Sequence, residues 1–173
     1  FRFVPAANAN GSGYASFNFQ VRDNGGTEFG GVDLDPTTDR MTINVTSVND
    51  APTALNRTLT TPQDVEYLFT LADFPFTDAN DSPANDLAAI KITTTSLQGG
   101  SLFNGANPIT GTAIVLRSAI EDGEFRFVPA AGQSGLPLGS FTFQIQDNGG
   151  GADTSADAEI RFNVTAPGVV NNE

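Results

Sequence analysis

FRFVPAA is written twice in this chain, at Phe1–Ala7 and at Phe125–Ala131. From each copy the sequence runs on in step, 124 positions apart. SFNFQ (Ser16–Gln20) matches SFTFQ (Ser140–Gln144), and DNGG at Asp23–Gly26 matches DNGG at Asp147–Gly150. The copies then differ in loop length and converge again at INVT (Ile43–Thr46) and FNVT (Phe162–Thr165). Self-similarity at a fixed spacing marks a tandem architecture. Residues 1–48 are therefore expected to be the C-terminal half of one repeat, residues 49–166 one complete repeat, and 167–173 a tail. The chain reads as a slice from a longer array.

Inside both copies apolar residues recur at every second position: Phe17, Phe19 and Val21; Ile43 and Val45; Phe141, Phe143 and Ile145; Ile160, Phe162 and Val164. Successive side chains of a strand point to opposite faces, so this period marks strands buried on one side. Val65, Tyr67, Phe69 and Leu71 read the same way, and runs at Ile90–Ile92, Ala113–Leu116 and Phe125–Val128 supply further strands. No stretch holds helical spacing over a helical length. Turn signals are dense, with DNGG twice, QGG at Gln98–Gly100 and NGANP at Asn104–Pro108. About seven short strands over roughly 115 residues predict an all-β, antiparallel, Ig-like sandwich, with a barrel as the lesser possibility. Phe1, Phe3, Phe17, Phe19, Phe141 and Phe143 are assigned to its core.

Composition narrows the function. Twenty acidic residues against 8 basic ones give a net charge of −12. That balance argues against nucleic acid, which demands Lys and Arg to displace counterions, and against an anionic membrane surface. The chain has no cysteine and no histidine. Disulfides, zinc and copper sites of the usual kind, a thiol nucleophile and an imidazole base are thereby excluded. No run reaches the roughly 18 apolar residues of a membrane span. Lys91 is the only lysine and sits in a predicted strand, so no phosphate-binding lysine loop is present. No two carboxylates stand out as a catalytic pair, and the chain is read as not an enzyme. The acid excess is mostly Asp beside Asn and Gly, a pattern that suits turns or the oxygen ligands of a hard cation.

The stretch SVNDAPTA (Ser47–Ala54) lies at the repeat junction, where Pro52 stiffens the connection. Asn49-Asp50-Ala51-Pro52 resembles the DxNDNxP linker of cadherins. TDANDSPANDL (Thr77–Leu87) is similar to their TDADDP loop, SLQGGSLF (Ser96–Phe103) to the turn that follows, and Gln146–Gly149 to their AxDxxG turn. TPQDVEYLFT (Thr61–Thr70), FRFVPAAGQSG (Phe125–Gly135) and VNDAPT (Val48–Thr53) complete the resemblance over nearly the whole chain. It is closest to the bacterial cadherin-like repeats of large secreted, adhesin-type proteins. The C-terminal APGVVNNE (Ala166–Glu173) lacks the NDAP element.

The resemblance implies a calcium site built from Asn49, Asp78, Asn80 and Asp147, with a main-chain carbonyl near Asn85 as a further ligand and Asp50 serving a second position. Calcium takes six to eight oxygens in flexible geometry. An ion there would hold together loops whose charges, on Asp50, Asp78, Asp81 and Asp147, otherwise repel. Asn80 stands where related loops have Asp, and Gln63 where the family usually has Glu, with Asp64 and Glu66 nearby. One weak site is expected, in the extracellular-module range of roughly 10⁻⁴–10⁻³ M. The alternative for the DNGG acids is plain turn duty.

By the same resemblance the chain is expected to be a structural or adhesive spacer, extracellular or on the cell surface. Its partners are neighbouring repeats of the same polypeptide, with calcium stiffening the joints. The alternatives are a carbohydrate-binding module and a calcium-dependent self-association module. Sugar platforms rely on exposed aromatics, and the chain has no Trp and only Tyr14 and Tyr67. Residues 1–48 offer Phe17, Phe19, Val21, Ile43 and Val45 as an apolar face without a partner sheet, which predicts that this half packs on the complete repeat or on a second molecule.

Overall fold

The structure, a computed structural model, describes residues 1–167, so most of the expected tail at 167–173 lies outside the described residues. The chain divides into two compact units, Phe1–Val48 and a second from Asn49 onward.

The first unit is a hairpin of β1 (Gly11–Phe19) and β2 (Asp39–Val45). Its pairs run from Gly11 opposite Val45 through Phe17 opposite Met41 to Phe19 opposite Asp39, with a register shift between Gly11 and Ala15. No described residue of this unit is buried. Phe1 is fully exposed, Phe3 and Val21 are exposed, and Phe17, Phe19, Ile43 and Val45 are half-buried. The assignment of Phe1, Phe3, Phe17 and Phe19 to a sandwich core is thus corrected. Two strands have no opposing layer to close over them, and a lone hairpin is marginal in water.

The second unit is the sandwich. Its strands in order are β3 (Thr53–Ala54), β4 (Arg57–Pro62), β5 (Tyr67–Leu68), β6 (Phe76–Thr77), β7 (Leu87–Leu97), β8 (Gly100–Asn104), β9 (Asn107–Ile109) and β10 (Ala113–Leu116). One turn of helix, α1 (Arg117–Glu121), precedes β11 (Phe125–Pro129), β12 (Gly135–Asp147) and β13 (Ala158–Thr165). One sheet has the order β10-β7-β12-β13-β4 and the facing sheet the order β5-β11-β8-β9, with β3 and β6 paired beside them. All pairings are antiparallel except that of β13 with β4, which is parallel.

Period two is realised where it was read. Along β11, β13 and the second half of β12, alternate residues are buried. Their rings meet between the layers: Phe127 stacks on Phe162 at 3.9 Å, Phe69 on Phe125 at 4.2 Å, and Phe74 meets Phe143 edge-on at 5.3 Å. Ile90, Ile92, Leu102, Ile145 and Ile160 fill in around them. Aromatic side chains bury large areas and gain further from such offset and edge contacts. Ordered aromatic packing of this kind needs two layers, which the second unit has and the first lacks.

The reading of Val65, Tyr67, Phe69 and Leu71 as one strand holds only at Tyr67–Leu68. Asp64 takes a positive φ of 63° and Val65 N–H bonds back to Pro62 O at 3.2 Å, so the chain turns and Val65 is left exposed. Past Phe69, Thr70 and Asp73 cap a short 3-10 turn, Leu71–Asp73, that takes Leu71 out of the strand.

Candidate functional site

Pairing of β3 with β6 decides what meets at the head of the sandwich. Thr53 lies opposite Thr77 in antiparallel sense. The residues just before β3, Asn49 and Asp50, therefore run beside those just after β6, the loop from Asp78 to Asp86. The turn after β12 is clamped to the same loop: Asn148 N–H donates to Asp86 O at 3.0 Å, and Asp86 N–H donates to Asn148 Oδ1 at 2.9 Å. Three segments distant in sequence converge in this way.

Asn49 stands at the centre of the contacts. Its Nδ2 donates to Asp147 Oδ1 at 3.3 Å and to Ala152 O at 3.0 Å, while its Oδ1 accepts from Asn85 Nδ2. Asp50 N–H donates to Asp81 Oδ2 at 3.0 Å. Asn85 N–H donates to Asp78 Oδ2 at 2.7 Å, and Gly149 N–H to Asp147 Oδ1 at 2.9 Å. Asn85 thus joins the cluster through its backbone N–H and its side-chain amide. Gly149 is required for the approach, since a Cβ there would collide with Asn49 Oδ1 and Asn85 Nδ2.

Two carboxylate oxygens stand apart from this network. Asp78 Oδ1 and Asp147 Oδ2 are buried and accept no hydrogen bond from the described residues. Asp147 is 2% exposed and Asp78 9%. Buried polar groups are nearly always paired, and a buried charge is costly unless compensated. Burial raises the Asp78 pKa, and the nearby carboxylates of Asp81 and Asp147 push in the same direction against the Asn85 N–H bond, which lowers it. Among the described residues no three carboxylates converge as a ready-made metal cage. The arrangement is two orphaned carboxylate oxygens beside the Asn49 side-chain amide, with Asp81 held to the Asp50 N–H nearby; carboxylate oxygens are ligands of the kind a hard cation takes.

The family model for the bacterial Ig domain matches residues 49–161. This chain belongs to that family. No match to the chain is found among curated proteins, and none among solved structures. Membership agrees with the Ig-like resemblance and with the all-β sandwich. Bacterial Ig domains are typically non-enzymatic structural modules.

Within this bacterial Ig domain the other residues singled out from the sequence fall elsewhere. Asn80 is exposed in the loop and makes no hydrogen bond to the cluster. Gln63 lies at the opposite end of the sheet, where its N–H bonds Thr165 O at 2.8 Å, at the far end of β13 from Asp147. Eight strand residues separate these ends by more than about 20 Å. Asp64 and Glu66 share that pole: Asp64 Oδ1 accepts from Gly132 N–H at 2.7 Å, and Glu66 lies 3.4 Å from Arg126. They cannot compensate at the Asp78 cluster. Tyr67 is engaged inwardly, with its ring edge-on to Phe69 and its hydroxyl donating to Asp73 at 2.9 Å. Sequence reading placed Asp81 among the charges of this joint and Asn85 there through a main-chain carbonyl, whereas Asn85 enters through its backbone N–H and side-chain amide. It missed the part of Gly149, whose only signal was its place within DNGG.

Proposed function

We propose that this bacterial Ig domain is a spacer module of a long secreted or surface repeat protein, and that a calcium ion at the head of the complete repeat stiffens its entry. The observation that carries the reading is the pair of buried, unpartnered oxygens on Asp78 and Asp147, beside the first two residues of the domain. Bacterial Ig domains are common on surface proteins, and no helix among the described residues is long and apolar enough to cross a membrane.

Asp78 and Asp147 would supply the two anionic oxygens, and Asn49 would tie the entering chain to them. Asp50 and Asp81 stand next to this set through their mutual hydrogen bond. Asn80, in the exposed loop, is the outermost of the expected ligands. When bound, the ion supplies positive charge in place of missing hydrogen bonds and offsets repulsion among Asp78, Asp81 and Asp147. Its mechanical effect follows from chain order. Asn49 and Asp50 immediately follow Val48, so fixing them fixes the direction in which the polypeptide enters the sandwich.

Thermal unfolding in chelator and across calcium up to 10 mM, with magnesium as control, tests the reading. For a dissociation constant of roughly 10⁻⁴–10⁻³ M, 10 mM calcium adds about 1.4–2.7 kcal/mol. An unfolding midpoint that does not move with calcium would return the cluster to turn duty.

A further inference from the structure

The two sheets of the sandwich end in four edge strands, and three of them are blunted. β4 begins with Arg57 and ends with Pro62, β9 carries Pro108 at its centre, and β5 is two residues long. Charge, proline and brevity are the usual guards of an edge, because an open edge templates another strand. β10, the remaining edge, reads Ala113-Ile114-Val115-Leu116, with neither proline nor charge. Among the described residues it pairs with β7 alone, antiparallel. Val115 points into the core and is fully buried, whereas Ile114 and Leu116 are 59% and 58% exposed.

Charge is distributed to match. Residues 87–120 contain no Asp or Glu, so all 20 acidic residues of the chain lie outside β7, β8, β9 and β10. Lys91 and Arg117 are the charged residues of this stretch, and both are engaged. Lys91 Nζ donates to Thr154 Oγ1 at 2.8 Å, and Arg117 meets Glu121 at 2.8 Å and Asp86 at 3.9 Å. β9 and β10 are the edges of the two sheets on one flank, joined by residues 110–112. The other flank, where residues 63–66 join β4 to β5, holds Arg57, Asp64 and Glu66. Copies of a chain with net charge −12 repel one another over most of their surface. The β9–β10 flank is where a second copy can approach without meeting carboxylates of its own strands.

We propose that β10 is a docking edge for a second copy of this chain, whose own β10 adds to it in antiparallel sense. The period of two restricts the register, because opposed residues share one face of a sheet. Centring the pair on Val115 sets Val115 against its counterpart on the inner face. On the outer face it sets Ile114 against Leu116 of the second copy, and Leu116 against Ile114. Centring on Ile114 would instead leave Leu116 opposite Thr112. The Val115 register is self-complementary, as a two-fold interface requires. It covers all four exposed apolar side chains and joins the two five-stranded sheets into one. With four residues a side the contact is small, hence weak and reversible.

The chain has no cysteine, so single-cysteine variants of the full chain report the register. Ile114→Cys and Leu116→Cys are mixed in equal amounts under mild oxidation, in chelator, so that the outcome is independent of calcium. Opposed residues lie about 4.5–5.5 Å apart between Cα atoms, within disulfide reach. Like positions lie on the diagonal at roughly 7–8 Å, beyond it. The mixed 114–116 disulfide should therefore form at least about tenfold faster than either like pair. Sedimentation of the parent at high concentration should show a dimer that Ile114→Lys abolishes. The unfolding midpoint of that variant should match the parent's, since the side chain it replaces is exposed. A mixed disulfide that forms no faster than the like pairs overturns the proposal, as does a parent that stays monomeric at the highest concentration. So does a dimer that persists in Ile114→Lys and is lost in Phe17→Asp, which assigns the contact to the β1–β2 hairpin.

Discussion

Asn49 and Asp147 lie 98 positions apart and are joined directly, Asn49 Nδ2 donating to Asp147 Oδ1 at 3.3 Å. That contact ties the entry of the domain to the end of its central strand. It leaves Asp147 Oδ2 buried without a donor, as Asp78 Oδ1 is left across the cluster. Each carboxylate thus spends one oxygen on the protein and keeps the other unpartnered, the feature on which the proposed calcium site rests.

Asp78→Asn separates the cost of the site from its use. The amide oxygen still accepts from Asn85 N–H, while a buried charge facing Asp81 and Asp147 is removed. In chelator the variant should unfold at the parent's midpoint or above it. In 10 mM calcium it should fall below the parent, whose gain is about 1.4–2.7 kcal/mol. Thermal unfolding under both conditions reads the crossing directly.

Gly149→Ala tests the geometry rather than the charge. The added methyl group collides with Asn49 Oδ1 and Asn85 Nδ2, so Asn49 must leave its place. Calcium affinity should drop by about tenfold or more, equivalent to roughly 1.4 kcal/mol, with every carboxylate retained. Gly150→Ala keeps its neighbour's contacts and meets no atom within 4 Å. Its φ of 75° makes it strained, so it should cost stability without altering calcium affinity.

Phe69 is the ring on which the two layers close, in contact with Tyr67, Phe74, Phe125, Phe141 and Phe162. Phe69→Ala should destabilise the complete repeat by about 3–5 kcal/mol, measured by urea unfolding. Phe17, in the Phe1–Val48 hairpin, is only half-buried where its counterpart Phe141 is fully buried, so Phe17→Ala should cost far less.

Tyr67 gives the domain an alkaline limit. Burial of the phenol, its donation to Asp73 and the charge of that carboxylate push its pKa up to about 12. The folded state thus holds this proton more tightly than the unfolded chain, whose tyrosine titrates near 10. The stabilisation is complete below about pH 10 and is lost as pH rises through about 12. Tyr67→Phe should be less stable than the parent at pH 7 by about 1 kcal/mol, and the gap should close across that window in denaturant titrations.

The sandwich was legible because its signal is local. Alternation at Phe141–Ile145 and Ile160–Val164 states which side of the strand is dry, and the duplicated FRFVPAA sets the repeat. What was not legible depends on contacts made elsewhere. Phe1 and Phe3 have the same sequence context as Phe125 and Phe127, yet burial is set by the layer that faces them, and residues 1–48 supply none. Val65 fits the alternation but follows Asp64, whose positive φ turns the chain. Gln63 looks like a junction ligand in one dimension and lies a full strand length from Asp147 in three. Asn49, Asp78 and Asp147 were singled out by the motifs NDAP, TDANDSPAND and DNGG, and the structure brings them together through Asn85. Gly149 matters through a close approach between two loops that no periodicity encodes.

Calorimetric titration of calcium into the 173-residue chain, repeated on Asp78→Asn and Asp147→Asn, addresses the central claim most directly. The account predicts one saturable site per chain in the parent, with a dissociation constant of roughly 10⁻⁴–10⁻³ M, and loss of that site in both variants. Absence of binding in the parent, or a site unaffected by either substitution, would contradict it.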